Sequence, residues 1–275
     1  MTKNILQILI KSFFLLIITT LSPLAQECSK NYSSLVLYPE SGNIFFEQQA
    51  YKIIYPASLT KLMTIYLVFE ALREKRIDLK DDLYASSRSS STSKVNKSNT
   101  LNLEIGDKIS VEQAIKGSIV KSFNELTVML AEEISDNEWQ FARDMNLKAK
   151  ELGMSNTNFR NASGLHNQGQ FTTNDDLAKL ALAIRQNFPE YYHYFSLKEF
   201  TYKNEKYPTH NNILLKYKGV DGIKTGFTNA SGFNLIASAK HDKKRITSVL
   251  TGCESAQKRD TFTKQLLDKA FNSSS

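Results

Sequence analysis

Ser58 and Lys61 stand three residues apart, a spacing that sets a hydroxyl and an amine one turn apart on a single helix face. A serine hydroxyl is a poor nucleophile without a neighbouring base, and a lysine serves as that base only while its amine is neutral. Burial on an apolar helix, or a nearby cation, lowers a lysine pKa in that direction. After Pro56, residues 58–73 are apolar at Leu59, Leu62, Met63, Ile65, Tyr66, Leu67 and Phe69, nearly all round. A helix of that kind belongs in the centre of a protein rather than on its surface. Its start also leaves the Ser58 backbone N–H without an intrahelical partner, open to an oxyanion. The pair alone is a weak signal, because Ser-x-x-Lys arises by chance and serine is a common N-cap.

Two more stretches carry polar groups that matter if they meet that pair. Lys121-Ser122-Phe123-Asn124 falls between two helical patterns, where Ser and Asn usually cap. Gly222-Ile223-Lys224-Thr225-Gly226-Phe227 reads as a strand whose glycines bracket a cation and a hydroxyl. Glycine in a strand marks a close approach of backbone or ligand, although a solvated edge lysine accounts for Lys224 equally well.

The elements that must position these groups follow from periodicity. Residues 33–38 and 44–47 flank Pro39-Glu40-Ser41-Gly42-Asn43 and read as a hairpin. Residues 86–98, rich in Ser, Lys and Asn, read as an exposed loop. Helical patterns follow at 111–120, 125–134, 138–152 and 175–187. Strand patterns return at 200–203, 220–225, 233–240 and 246–251, with Asp242-Lys243-Lys244 as the turn between the last two, and a final helix covers 260–271. The order strands, helices, strands, helix implies an α+β fold: one antiparallel sheet formed from both chain ends, with a helical region inserted.

Composition narrows the function. With 41% hydrophobic and 23% charged residues the chain reads as an ordinary globular enzyme, and its net charge of +7 is spread along the sequence. No Lys/Arg block is interleaved with aromatics, so no nucleic-acid partner is expected. Cys28 and Cys253 are too few for a disulfide scaffold, and the four histidines form no zinc-ligand spacing with them, so neither a metal nor another cofactor is expected. Residues 1–25 carry only Lys3 and Lys11 as charges, then short apolar runs and a small-residue exit at Ser22-Pro23-Leu24-Ala25. That is a signal-peptide layout. It predicts export to the periplasm or another extracytoplasmic space, with residues 26–275 as one catalytic domain. The Ser-rich end resembles no membrane anchor.

Ser-x-x-Lys, Ser-x-Asn and Lys-Thr-Gly, in that order and on helix start, interhelical junction and strand, match the trio of β-lactamases and penicillin-binding proteins. Beyond the trio, Pro56 to Thr64, Asn161-Ala162-Ser163-Gly164-Leu165 with Phe171-Thr172-Thr173, and Asn229 to Leu235 resemble further stretches of the low-molecular-mass penicillin-binding proteins. These are D-alanyl-D-alanine carboxypeptidases of the serine peptidase type. The likeness runs from about residue 33 to 271 and implies a β-lactamase/transpeptidase-like fold.

The resemblance, with the chemistry above, implies a role for each residue. Ser58 attacks the carbonyl of the penultimate D-alanine of a peptidoglycan stem pentapeptide, and Lys61 takes its proton. Ser122 relays a proton to the leaving amine, and Asn124 holds the peptide or orients Lys61. Lys224 and Thr225 receive the substrate carboxylate, while Gly226 and Phe227 lie at the oxyanion hole, which the Ser58 and Phe227 amides form. β-Lactams are expected to acylate Ser58 as covalent inhibitors. In the implied fold the first and last strands run antiparallel, which brings the ends nearest Cys28 and Cys253 together and makes a disulfide between them one of two outcomes, the other being a free Cys28 on a frayed terminus. The second motif departs from the family, which usually has a small residue at Phe123 and Asp at Glu125; Phe123 is expected to narrow the cleft. Two other readings stay open: a D,D-endopeptidase that cuts cross-links with the same machinery, and an inactive peptidoglycan-binding module. A β-lactamase is disfavoured because residues 156–170 hold no acidic side chain for deacylation.

Overall fold

The computed structural model describes residues 28–95 and 100–273. The expected signal peptide lies outside them.

The chain opens with β1 (Ser33–Leu37) and β2 (Ile44–Gln48), an antiparallel hairpin as expected. A 3₁₀ turn, Ala57–Thr60, leads into α1 (Lys61–Arg73). Then come β3 (Asp82–Tyr84), α2 (Ser87–Val95), β4 (Lys108–Ser110), α3 (Val111–Val120), α4 (Asn124–Ile134), α5 (Glu138–Glu151) and α6 (Asn174–Asn187). The last third holds β5 (Glu199–Tyr202), β6 (Glu205–Pro208), α7 (Asn212–Lys216), β7 (Val220–Thr228), β8 (Gly232–His241), β9 (Lys244–Cys253) and α8 (Ala256–Asn272). The main sheet has the order β2-β1-β9-β8-β7, antiparallel throughout, so both chain ends build it.

Alternation along the strands explains how the sheet is covered. Leu35 and Leu37 of β1 face the helical region, whereas Val36 between them joins Ile246 and Leu250 against Phe262, Leu266 and Ala270 of α8. With both faces covered, β1 is buried at every position. Lys61 to Leu72 of α1 are buried except Glu70, which confirms the central helix.

Two expectations need correction. Residues 87–95 form α2 rather than an exposed loop, packed on α4 with Ser89, Ser90, Thr92 and Ser93 buried. The serine and threonine hydroxyls donate to carbonyls of their own helix, Thr92 Oγ1 to Arg88 at 2.9 Å and Ser93 Oγ to Ser90 at 2.6 Å. That satisfies them in a buried face and hides the helix from any hydrophobic pattern. The strand at 199–202 stays out of the main sheet; β5 pairs only with β6 in a two-stranded ribbon.

The expected pairing of first and last strands is present, with Ser33 opposite Thr251. Cys28 and Cys253 are disulfide-bonded across that end of the sheet, Cα atoms 4.8 Å apart. Among the described residues no helix is long and apolar enough to cross a membrane.

Candidate active site

The turn carrying Ser58 is held from behind. Ala57 adopts a left-handed φ of 49°, and Gly164 lies so close that a Cβ there would stand 1.9 Å from the Ala57 carbonyl oxygen. Only glycine fits, both for that approach and for its own φ of 84°. Asn161 fixes the glycine, its Oδ1 accepting from the backbone N–H groups of Ser163 (3.2 Å) and Gly164 (2.7 Å). The loop from 161 to 165 thereby braces the nucleophile turn.

Lys61 is buried, and its Nζ contacts three oxygens: Asn124 Oδ1 at 2.7 Å, the Ser163 carbonyl at 2.5 Å and Ser58 Oγ at 3.3 Å. Burial holds its pKa well below the ordinary lysine value, and the Lys224 charge pushes the same way; Glu125 and Glu138 oppose them. A neutral amine has two protons and one lone pair. With the amine neutral, Asn124 and Ser163 accept its two protons and the lone pair is free to face the Ser58 hydroxyl.

Ser122 reaches the cleft from the turn between α3 and α4, where its backbone takes a φ of 65°. Phe123, expected to narrow the cleft, does not line it. Its ring is buried against Phe200 and Tyr207, centroids 6.2 and 5.3 Å away, so this bulk fills core instead. Glu125 is buried beside the motif, its Oε1 accepting from Thr100 Oγ1 and the Leu101 N–H.

On the opposite wall runs β7, an edge strand, yet Lys224 is only 2% exposed and not a solvated edge lysine. Its Nζ donates to the Thr225 carbonyl at 3.1 Å. Burial, then the charge of Arg259, lowers its pKa to about 7. A Cβ on Gly226 would lie 3.2 Å from the Ser58 nitrogen, so β7 passes directly beside the nucleophile's amide. Thr225, Gly226 and the half-exposed Phe227, whose ring packs on Phe233 at 4.2 Å, line the cleft with Ser58, Ser122 and Asn124. The cleft encloses about 1150 Å³. All eight residues singled out in the sequence therefore converge on one seam between helical region and sheet.

Residues 23–255 match the profile of the D-alanyl-D-alanine carboxypeptidase family. The chain belongs to this family. It is 33% identical over 91% of its length to the D-alanyl-D-alanine carboxypeptidase DacF of Bacillus subtilis. To DacC and DacD of Escherichia coli it is 36% and 39% identical over 84% and 77%. It spans 64%, 58% and 55% of those three proteins' own lengths. Its fold superposes on penicillin binding protein 5 of Haemophilus influenzae with a TM-score of 0.83 and 34% identity, covering 87% of this chain and 70% of that one. Penicillin-binding protein D2 of Listeria monocytogenes, solved in an ampicillin-bound form, gives 0.77 at 29% identity, covering 87% and 96%. The expected β-lactamase/transpeptidase-like architecture is that of these penicillin-binding neighbours.

Within this family member's cleft, three groups escaped sequence reasoning. The Ser163 carbonyl is a backbone atom and leaves no side-chain signature. Arg259, 4% exposed, enters from α8 and pairs with Asp260 at 2.7 Å; the helical pattern had placed the helix start one residue after it. His210 lines the same wall, and burial, then the charges of Lys121, Lys224 and Arg259, lowers its pKa to about 4. A lone His between a strand and a short helix carries no sequence signal.

Proposed function

We propose that this chain is a serine-type D-Ala-D-Ala carboxypeptidase that removes the terminal D-alanine from peptidoglycan stem pentapeptides. The observation that carries the reading is the Lys61 amine: buried, its Nζ 2.7 Å from Asn124 Oδ1, 2.5 Å from the Ser163 carbonyl and 3.3 Å from Ser58 Oγ. Ser58 Oγ attacks the carbonyl carbon of the penultimate D-alanine while Lys61 accepts its proton. The oxyanion is received by the N–H groups of Ser58 and Phe227, consistent with the close approach of Gly226 to the Ser58 nitrogen. Ser122 passes the proton from Lys61 to the departing amine, and the C–N bond breaks. Water then attacks the acyl-enzyme carbonyl and gives one proton to Lys61; the Ser58 Oγ–C bond breaks, Lys61 returns that proton to Ser58 Oγ, and the shortened peptide leaves as a carboxylic acid. Lys224, Thr225 and Arg259 hold the terminal carboxylate. A β-lactam acylates Ser58 by the same first step, as befits a relative of a protein solved with ampicillin.

Residues 1–25 act as an export signal in this reading, and residues 26–275 as the catalytic unit outside the cytoplasm. The buried Cys28–Cys253 bridge supports an oxidising compartment.

A labelled penicillin and mass spectrometry test the proposal together. The adduct is expected on Ser58 and absent from Ser58→Ala; an adduct elsewhere overturns the mechanism. On muropeptides the parent should remove one alanine from the pentapeptide and leave cross-links intact. Cleaved cross-links would make it a D,D-endopeptidase, and an unreacted set would make it a binding module.

A further inference from the structure

Among the described residues the cleft wall carries three arginines, Arg88, Arg160 and Arg259, and no carboxylate side chain. Two are already paired: Arg88 to Glu138 at 2.6 Å and Arg259 to Asp260 at 2.7 Å. Arg160, exposed at the cleft, has no carboxylate partner among the described residues. It directly precedes the loop that braces the nucleophile turn, a different wall from the Lys224–Arg259 side.

Its guanidinium is also shelved. A Cβ built on Gly169 would fall 2.9 Å from Arg160 Nε and 3.3 Å from Nη2, so the group lies directly against that glycine. The shelf is tied down on both sides. The Gly169 carbonyl accepts from Asn158 Nδ2, its N–H donates to Asn167 Oδ1 at 2.9 Å, and the Arg160 N–H donates to Gln170 Oε1 at 3.0 Å. A preorganised, unpaired guanidinium at a cleft wall is suited to a carboxylate.

Resting on the proposed carboxypeptidase reading, we infer that Arg160 binds a second substrate carboxylate, one on the acyl side of the scissile bond. The terminal carboxylate goes to the β7 wall, so the peptide on the other side of the attacked carbonyl is left to run past the bracing loop. Stem peptides offer two free carboxylates there: the α-carboxylate of a γ-linked glutamate and that of a diamino diacid. Both present the same chemistry to the guanidinium. The subsite makes this cleft selective for stems that keep the carboxylate free over stems in which it is amidated.

The test measures binding of three synthetic stem pentapeptides to the Ser58→Ala protein: both carboxylates free, the glutamate amidated, and the diamino acid amidated. Each is measured with and without Arg160→Gln, and kcat/KM is measured in parallel on the unaltered nucleophile. An exposed charged pair predicts a loss of about 1.5-fold to fivefold for Arg160→Gln on the free stem. On the stem amidated at the carboxylate Arg160 reads, no further loss is expected, and which amide behaves so identifies the source. Gly169→Ala keeps the charge but pushes the guanidinium off its shelf, and should show a smaller loss with the same selectivity; Arg160→Lys should restore part of the binding. An equal loss on all three stems, or none on any, overturns the inference. Binding to the Ser58→Ala protein reads the subsite without turnover, so an inactive parent would refute the proposed function and leave this result standing.

Discussion

Replacing Lys224 by methionine should destroy activity and make the protein more stable. In the folded chain burial, then Arg259, brings the Lys224 pKa from the ordinary 10.5 to about 7. The unfolded chain therefore binds this proton more tightly than the native one. A depressed folded-state pKa leaves stability unaffected above 10.5. The loss grows as pH falls toward 7 and becomes constant below it. At 1.36 kcal/mol per pKa unit the full penalty is roughly 4–5 kcal/mol, and nearly all of it is present at pH 7. Methionine keeps most of the side chain's length and gives up the Nζ hydrogen bond to the Thr225 carbonyl, a loss of about 0.5–1.5 kcal/mol. The net expectation at pH 7 is a gain of about 2–4 kcal/mol. For a chain of this size that raises Tm by roughly 5–15 °C. Removing the charge also relieves Lys61, whose lowered pKa owes its second-largest part to Lys224, and this adds in the same direction. Calorimetry at pH 6, 7, 8.5 and 10 measures both proteins. The gap between them should be widest at pH 6 and 7 and shrink to under about 1 kcal/mol at pH 10. A variant that melts at or below the parent at pH 7, or a gap independent of pH, refutes the reasoning.

The other expectations are simpler to read. Lys61→Arg retains charge but has no neutral form to accept a proton, so stopped-flow penicillin acylation should slow by about 10²–10⁴; near-parental rates would remove Lys61 from the base role. Cys28→Ser opens a bridge closing a separation of 225 residues, an effect whose chain-entropy upper bound is roughly 5 kcal/mol. Calorimetry should show a lower Tm, while two alkylatable thiols in the unreduced parent would contradict the bridge itself. Gly164→Ala forces a Cβ onto the Ala57 carbonyl at a left-handed φ, and should lower stability by at least about 1–3 kcal/mol and slow acylation; an unchanged Tm and rate would show that the brace is dispensable.

What the sequence revealed depended on whether a residue's role lies in its side chain or in its surroundings. The first hairpin was legible because two β-prone runs flank the turn residues 39–43, and β1, covered on both faces, is continuously apolar at Leu35, Val36 and Leu37. Helix α1 was legible because it is apolar all round. Helix α2 was not, because its buried face is made of serine and threonine whose hydroxyls bond to their own helix. Of the two ribbons only β5 registered as a strand pattern; β3, β4 and β6 are three or four residues long, too short for a period to show. In the site, Ser58, Lys61, Ser122, Asn124 and Lys224 to Phe227 were readable as three ordered motifs. Phe123 was misplaced because its direction depends on the left-handed backbone of Ser122, which a non-glycine residue does not announce.

The cations of the cleft act on one another in series, which bears on how the base is prepared. Arg259 lowers the pKa of Lys224, and the charge on Lys224 lowers that of Lys61. With a pKa of about 7, Lys224 is only partly charged in the free protein near neutrality. In the proposed reaction a substrate carboxylate arriving beside it favours the charged form and raises that pKa. The carboxylate brings a full negative charge of its own, so the resulting ion pair presses on Lys61 no harder than Lys224 alone did, and burial remains the largest cause of the lowered Lys61 pKa. The carboxylate then serves as an anchor rather than a trigger. Methyl esterification of the terminal carboxylate should therefore raise KM and leave kcat little changed, whereas a matching fall in kcat would show that the carboxylate also prepares the base.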